Sequence, residues 1–159
     1  MTAAPVNVLF LCTGNSARSI LAEALLSELG APHGVLAWSA GSTPSGAPHP
    51  DALAELARRG HRTDLFRSKS WDEFGGPYAP VMDIVVTVCD SAAAEACPVW
   101  PGAPVSVHWP APDPAHIEDD AERRRAFSDV YDLMRRRVED LLALPREALS
   151  DREAVQALS

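Results

Sequence analysis

The chain has 159 residues, 47% of them hydrophobic, with a formal net charge of −8, a length that suits one domain able to bury a sizeable core without a structural metal or disulfides. The acidic balance excludes a broad nucleic-acid footprint or docking on an anionic membrane, although a local positive pocket can still hold one small anion. "MTAAPVNVLF" has no basic stretch before its apolar run, and that run is far too short to span a bilayer, so a cytoplasmic chain is expected.

In chain order, "VNVLFL" (6–11) is a nearly continuous apolar run rich in strand formers, which suits a strand covered on both faces. From Arg18 the period changes: Ile20, Leu21, Ala24, Leu25 and Leu29 fall on one helical face, with Gly30 as the stop. "VLAWSAG" (35–41) reads as a second strand, and "PDALAELARRG" (50–60) as a helix opened by proline and closed by glycine. "DIVVTVC" (83–89) and "PVSVHW" (104–109) read as strands three and four, with "DSAAAEACPVWPG" between them part helical and part loop. Residues 118–143 keep amphipathic spacing through Phe127, Val130, Tyr131, Met134, Val138, Leu141 and Leu142, which predicts a long helix. Its arginine runs, 123–125 and 135–137, read as a solvated face. The remainder, 144–159, carries a capping-box pattern at Ser150 and Glu153 and reads as a loosely held helical extension of the same single domain.

Strands alternating with helices imply a doubly wound α/β fold, a four-stranded parallel sheet of order 2-1-3-4 with helices on both faces. Ligands in such sheets bind beyond the carboxyl ends of the strands, where the order reverses between strands 1 and 3. Cys12 ends the first of these strands and Cys89 the other, so two of the three thiols converge on the expected crevice. An odd cysteine count argues against a disulfide framework, and no Cys or His pair has the short spacing of zinc sites, so no metal is expected.

The loop Cys12, Thr13, Gly14, Asn15, Ser16, Ala17, Arg18 joins a strand to a helix, so its amides and the helix N-terminus can form an anion cradle. Gly14 and Asn15 suit the unusual backbone angles such a cradle needs, and Arg18 offers a planar fork to two oxygens of a tetrahedral anion. The same positive field suits a thiolate, which makes Cys12 the expected nucleophile, and Ser19 can give its hydroxyl to that sulfur or to a departing group. A cysteine after an apolar strand is also a common small core residue; here the polar "TGNSA" loop and the arginine favour chemistry over packing.

"CTGNSARS" resembles the phosphate-binding loop of low-molecular-weight protein tyrosine phosphatases and of the arsenate reductases that share their fold. The similarity to the arsenate reductases extends over about residues 6–143, through "SAGS", "RSKSWDEF", "DIVVTVCD", "CPVWPGAPV" and "HWPAPDPA". Two departures set the chain apart from the phosphatases: Ala17 stands where they usually carry a second cysteine, and Ala115 where they carry an aromatic after Asp-Pro.

The resemblance implies reduction of arsenate or a similar tetrahedral oxyanion, with Cys12 as nucleophile and Cys89 and Cys97 as a relay pair. Their interval is eight residues where the family often has seven. Adjacent strands lie about 4.8 Å apart, which brings Cys12 and Cys89 within disulfide range. A helical 89–97 would hold Cys89 and Cys97 about 12 Å apart, so a switch of that segment on oxidation is expected. The resemblance also implies an external reductant rather than a bound cofactor: thioredoxin, or glutaredoxin with glutathione. Asp113 resembles the family's general acid, although an Asp before Pro is also a common turn former.

Asn15, Glu23, Ser39, Ser68 and Lys69 are expected to form a network behind the loop, where some arsenate reductases bind potassium and where Lys69 could supply the charge instead. His108 and Trp109 read as packing at a strand end, and Trp38, Trp71 and Trp100 as core or loop anchors. Two alternatives stay open on sequence: a phosphatase in which Cys89 and Cys97 give redox protection, and a non-catalytic module that binds oxyanions or senses redox state.

Overall fold

The computed structural model describes residues 4–89 and 102–158. Four parallel strands, β1 (Val6–Cys12), β2 (Val35–Gly41), β3 (Ile84–Thr87) and β4 (Val105–His108), form one sheet in the order β2-β1-β3-β4. The central strand β1 is buried on both faces because its residues alternate between two apolar layers. Val8, Phe10 and Cys12 join the larger cluster, and Leu9 and Leu11 the smaller one.

The helices among the described residues are α1 (Arg18–Gly30), α2 (Pro50–Arg58), α3 (Asp120–Leu142) and α4 (Arg152–Gln156). Among the described residues all four contribute to the larger cluster, while Trp71 and Phe74 of a 3₁₀ turn and Met82 cover the other face with Trp38. The long helix places Phe127, Val130, Tyr131, Met134, Val138 and Leu141 in the core. Its N-terminus is capped by Asp119, whose side chain accepts from the Glu122 amide.

The strands β3 and β4 are shorter at both ends than their apolar runs, because Asp83, Val88, Trp109 and Ala111 leave the ladder while still donating to or accepting from it. Gly30 does not break α1 by a left-handed turn. It keeps helical angles, the chain continues through Ala31–His33, and Gly34 makes the turn at φ 71°. Gly30 instead allows close packing, since a β-carbon there would sit 3.1 Å from Val35 Cβ and from Leu26 Cδ1. The helix α2 stops at Arg58, and Gly60 reverses the chain at φ 88°.

Two surface expectations are corrected. Arg123 is not solvated: it reaches Asp51 at 2.5 Å and Asp120 at 2.7 Å and donates to the Ile117 carbonyl, tying α3 to the start of α2. The C-terminal extension is firmly docked, with Leu149 and Val155 in the core, Gln156 donating to the Ser106 carbonyl and Arg137 to the Leu158 carbonyl. Its cap is Asp151, which accepts from the Glu153 amide, while Ser150 donates to the Glu147 carbonyl. No described helix is long and apolar enough to cross a membrane.

Phe127 is fully buried and stacks on His49, 5.0 Å between ring centroids, next to the loop that holds the candidate site. Phe127→Ala is expected to lower stability by about 3–5 kcal/mol, read as a fall in the urea midpoint with an unchanged slope.

Candidate active site

The residues 12–18 leave the end of β1 and enter α1, and their shape is set from outside. Thr43 N–H donates to the Thr13 carbonyl, Ser45 N–H to that of Gly14 and His49 N–H to that of Ser16, at 2.8–2.9 Å. Ser68 Oγ adds a second donor to the Gly14 carbonyl at 2.9 Å. In a trans peptide the N–H points opposite to the carbonyl. Anchoring these three carbonyls outward therefore turns the amides of Gly14, Asn15 and Ala17 toward the interior of the loop. Helix α1 opens at Ala17 with no side-chain cap, so its first-turn amides are also left for a ligand.

The strained position is Asn15, at φ 46°, whereas Gly14 does not use the left-handed region and has room for a β-carbon at ordinary contact distance. Asn15 is fully buried and locked by its side chain: Nδ2 donates to Ser19 Oγ and Ser39 Oγ, both at 2.9 Å, and Oδ1 accepts from the Lys69 amide at 2.9 Å. Three fixed hydrogen bonds offset the cost of the conformation.

Around the loop lies a cavity of about 290 Å³ lined by Cys12, Arg18, Asp113 and His116 together with the loop backbone. Cys12 is buried, and its sulfur lies 2.9 Å from Ser19 Oγ. Arg18 donates through Nη1 to the Ala111 carbonyl at 3.0 Å and has Nη2 3.6 Å from Asp113 Oδ2, so the loop after β4 already faces the guanidinium. Cys89, just past β3, is buried, and its sulfur is 3.7 Å from Thr13 Oγ1. Cys97 and Trp100 lie outside the described residues, as does all but Cys89 of the segment 89–97 expected to switch.

Behind the loop, Ser39 donates to Glu23 Oε1, and Lys69 Nζ lies 3.8 Å from the same oxygen while donating to the Arg67 carbonyl. Burial pushes the Glu23 carboxyl above its ordinary value against the pull of Lys69, Ser39 and Arg67, and burial likewise pushes the Lys69 ammonium down. The donors do not suit an added potassium ion: Asn15 Oδ1 is already taken by the Lys69 amide, and the Lys69 ammonium brings the positive charge. His108 bonds through Nδ1 to Thr87 Oγ1 at 2.7 Å, and Trp109 is fully buried against Phe10.

Sequence reasoning missed Gly41 and His116. A β-carbon on Gly41 would lie 2.4 Å from the Thr13 carbonyl oxygen and 2.9 Å from the Asn15 nitrogen, so only glycine lets β2 meet the loop. Its signal was present in "SAGS", a glycine ending a strand beside the one that carries the thiol. His116 had no signal, because its place over the cavity depends on how the loop after β4 folds back.

This strand, cradle and helix arrangement defines a protein class, and the chain belongs to the low-molecular-weight phosphotyrosine protein phosphatase family, whose model matches residues 7–155. It is similar to an arsenate reductase of Halalkalibacterium halodurans, 35% identical over 133 residues that cover 82% of this chain and 91% of that protein. Among solved structures it resembles an arsenate reductase in a phosphate-binding state (28% identity, TM-score 0.66, 87% of this chain and 97% of that one). A thioredoxin-dependent arsenate reductase of Corynebacterium glutamicum is also similar (26% identity, TM-score 0.59, 86% of this chain and 61% of that one).

Gly41→Ala drives a β-carbon into backbone atoms, and it is expected to cost at least the roughly 1–3 kcal/mol of an overpacked site. Isothermal titration with phosphate should show binding lost in any folded variant. Glu23 supplies a pH signature. Because its folded value is raised, its contribution to stability is complete below about 4.5 and is lost as pH rises through that raised value. In Glu23→Gln this decline is absent, so urea midpoints at pH 4.5 and 7.5 should show the wild type losing ground to the variant as pH rises.

Proposed function

We infer that the chain is an arsenate reductase working by a thiol relay. The observation that carries this reading is the pair of buried cysteines at the carboxyl ends of neighbouring strands, Cys12 at the cradle and Cys89 beside Thr13. The similarity to arsenate reductases along most of the chain supports it.

In this reading the loop amides and Arg18 hold arsenate while the Cys12 thiolate attacks arsenic, and Asp113 protonates the oxygen that departs as water. Ser19, 2.9 Å from the sulfur, steadies the thiolate. The Cys89 thiolate then attacks Cys12 sulfur. The sulfur–arsenic bond breaks, its electron pair stays on arsenic, and arsenite leaves as Cys12 and Cys89 join. Cys97 next attacks Cys89 and frees Cys12, and an external dithiol reduces the Cys89–Cys97 bond with two electrons. Thioredoxin is the favoured dithiol, after the similar thioredoxin-dependent enzyme.

The test is arsenite release with thioredoxin, with glutaredoxin plus glutathione, or with no donor. Turnover with the first supports the full reading, and turnover only with the second changes the reductant. Phosphate-ester hydrolysis with no arsenite under any donor would make the chain a phosphatase, and thiol loss without product a sensor. Cys12→Ser should abolish both activities. Cys89→Ser should cut arsenite turnover by more than a hundredfold yet leave ester hydrolysis within a few-fold, and equal loss of both would contradict the division of labour.

A further inference from the structure

We propose that His116 acts through Asp113, as a positioning residue that also restores the proton Asp113 gives to the departing oxygen in each cycle. The proposal rests on the function inferred above and concerns the acid side of the same cavity.

Among the described residues three groups face Asp113. Oδ1 accepts from the Ala115 amide at 2.9 Å, and Oδ2 lies 3.6 Å from Arg18 Nη2 and 3.0 Å from His116 Nε2. Once Asp113 has given its proton to the departing oxygen, it needs a new one before the next cycle. Of these groups a backbone amide and a guanidinium are poor proton relays, whereas an imidazole can pass a proton through its two ring nitrogens. Arg18 must also turn its fork to a bound oxyanion, which leaves His116 as the side chain still engaged with Asp113.

His116 is placed for exchange with water. Its side chain is 87% exposed against 30% for Asp113, and both line the cavity that contains Cys12. Among the described residues, the ionisable groups that line this cavity with the imidazole are Asp113, Arg18 behind it, and Cys12. The proton steps balance: imidazolium Nε2–H passes its proton to Oδ2, the Asp113 hydroxyl passes one to the leaving oxygen, and the neutral imidazole takes one from solvent. One proton crosses per adduct formed, and no electrons move in this leg.

The test compares wild type, His116→Gln and His116→Ala in steady-state arsenite release with a thioredoxin system from pH 6 to 9. The exposed ring makes folding defects improbable as a cause, and a circular-dichroism melt checks this. Both variants should lose about tenfold in kcat, a part of the 10²–10⁴ of general-acid help, with KM within twofold. Added imidazole should restore His116→Ala. A glutamine variant that matches wild type, a loss confined to KM, or no rescue by imidazole would overturn the proposal. If wild type releases no arsenite under any donor, the inferred function falls instead, and His116 is judged by the same comparison on phosphate-ester hydrolysis. A chain inert in both assays overturns both.

Discussion

The whole site depends on how closely the end of β2 approaches the loop at the end of β1. Gly41 pairs with Cys12 in the sheet, so close to the loop that a β-carbon there would run into the Thr13 carbonyl oxygen and the Asn15 nitrogen. From there residues 43, 45 and 49 hand three amides to the loop carbonyls. A peptide group cannot point its carbonyl and its amide the same way, so fixing one fixes the other. The cradle is thus shaped before any anion arrives, and preorganised donors of this kind need no rearrangement when charge develops.

A second layer holds the first. From Cys12 sulfur the contacts run through Ser19 Oγ, Asn15 Nδ2 and Ser39 Oγ to Glu23, with Lys69 beside the carboxylate. Burying a carboxylate and an ammonium together is costly, as the opposing displacements of Glu23 and Lys69 reflect. What the pair provides is geometry: the Lys69 amide fixes the Asn15 side chain, and Asn15 in turn keeps its own left-handed backbone and the Ser19 hydroxyl in place.

Legibility in the sequence followed the range of the interactions. The four strands, their order and the two long helices were readable because apolar periodicity and strand-to-helix alternation are local signals. Arg123 misled because its neighbours in sequence are charged and exposed, while its partner Asp51 belongs to another helix. The C-terminal residues looked loose for the same reason, since Leu149 and Val155 reveal their core role only against the sheet. Gly14 and Asn15 both looked suited to unusual backbone angles, and Gly14 does not use the left-handed region. Asn15 carries the left-handed angle instead, because its side chain finds three partners that a glycine lacks.

Sequence alone determined the class of fold, the strand-to-helix loop with its cysteine and arginine, and the convergence of Cys12 and Cys89 on one edge. Those follow from residue type, period and chain order. Tertiary structure decided what the loop's peptides face, which side chain stores the strain, where Lys69 puts its charge and which histidine meets Asp113. The first three depend on groups some 20 to 55 residues apart in sequence coming into contact, where spacing along the chain carries no distance information, and the last on how the loop after β4 folds back over the cavity.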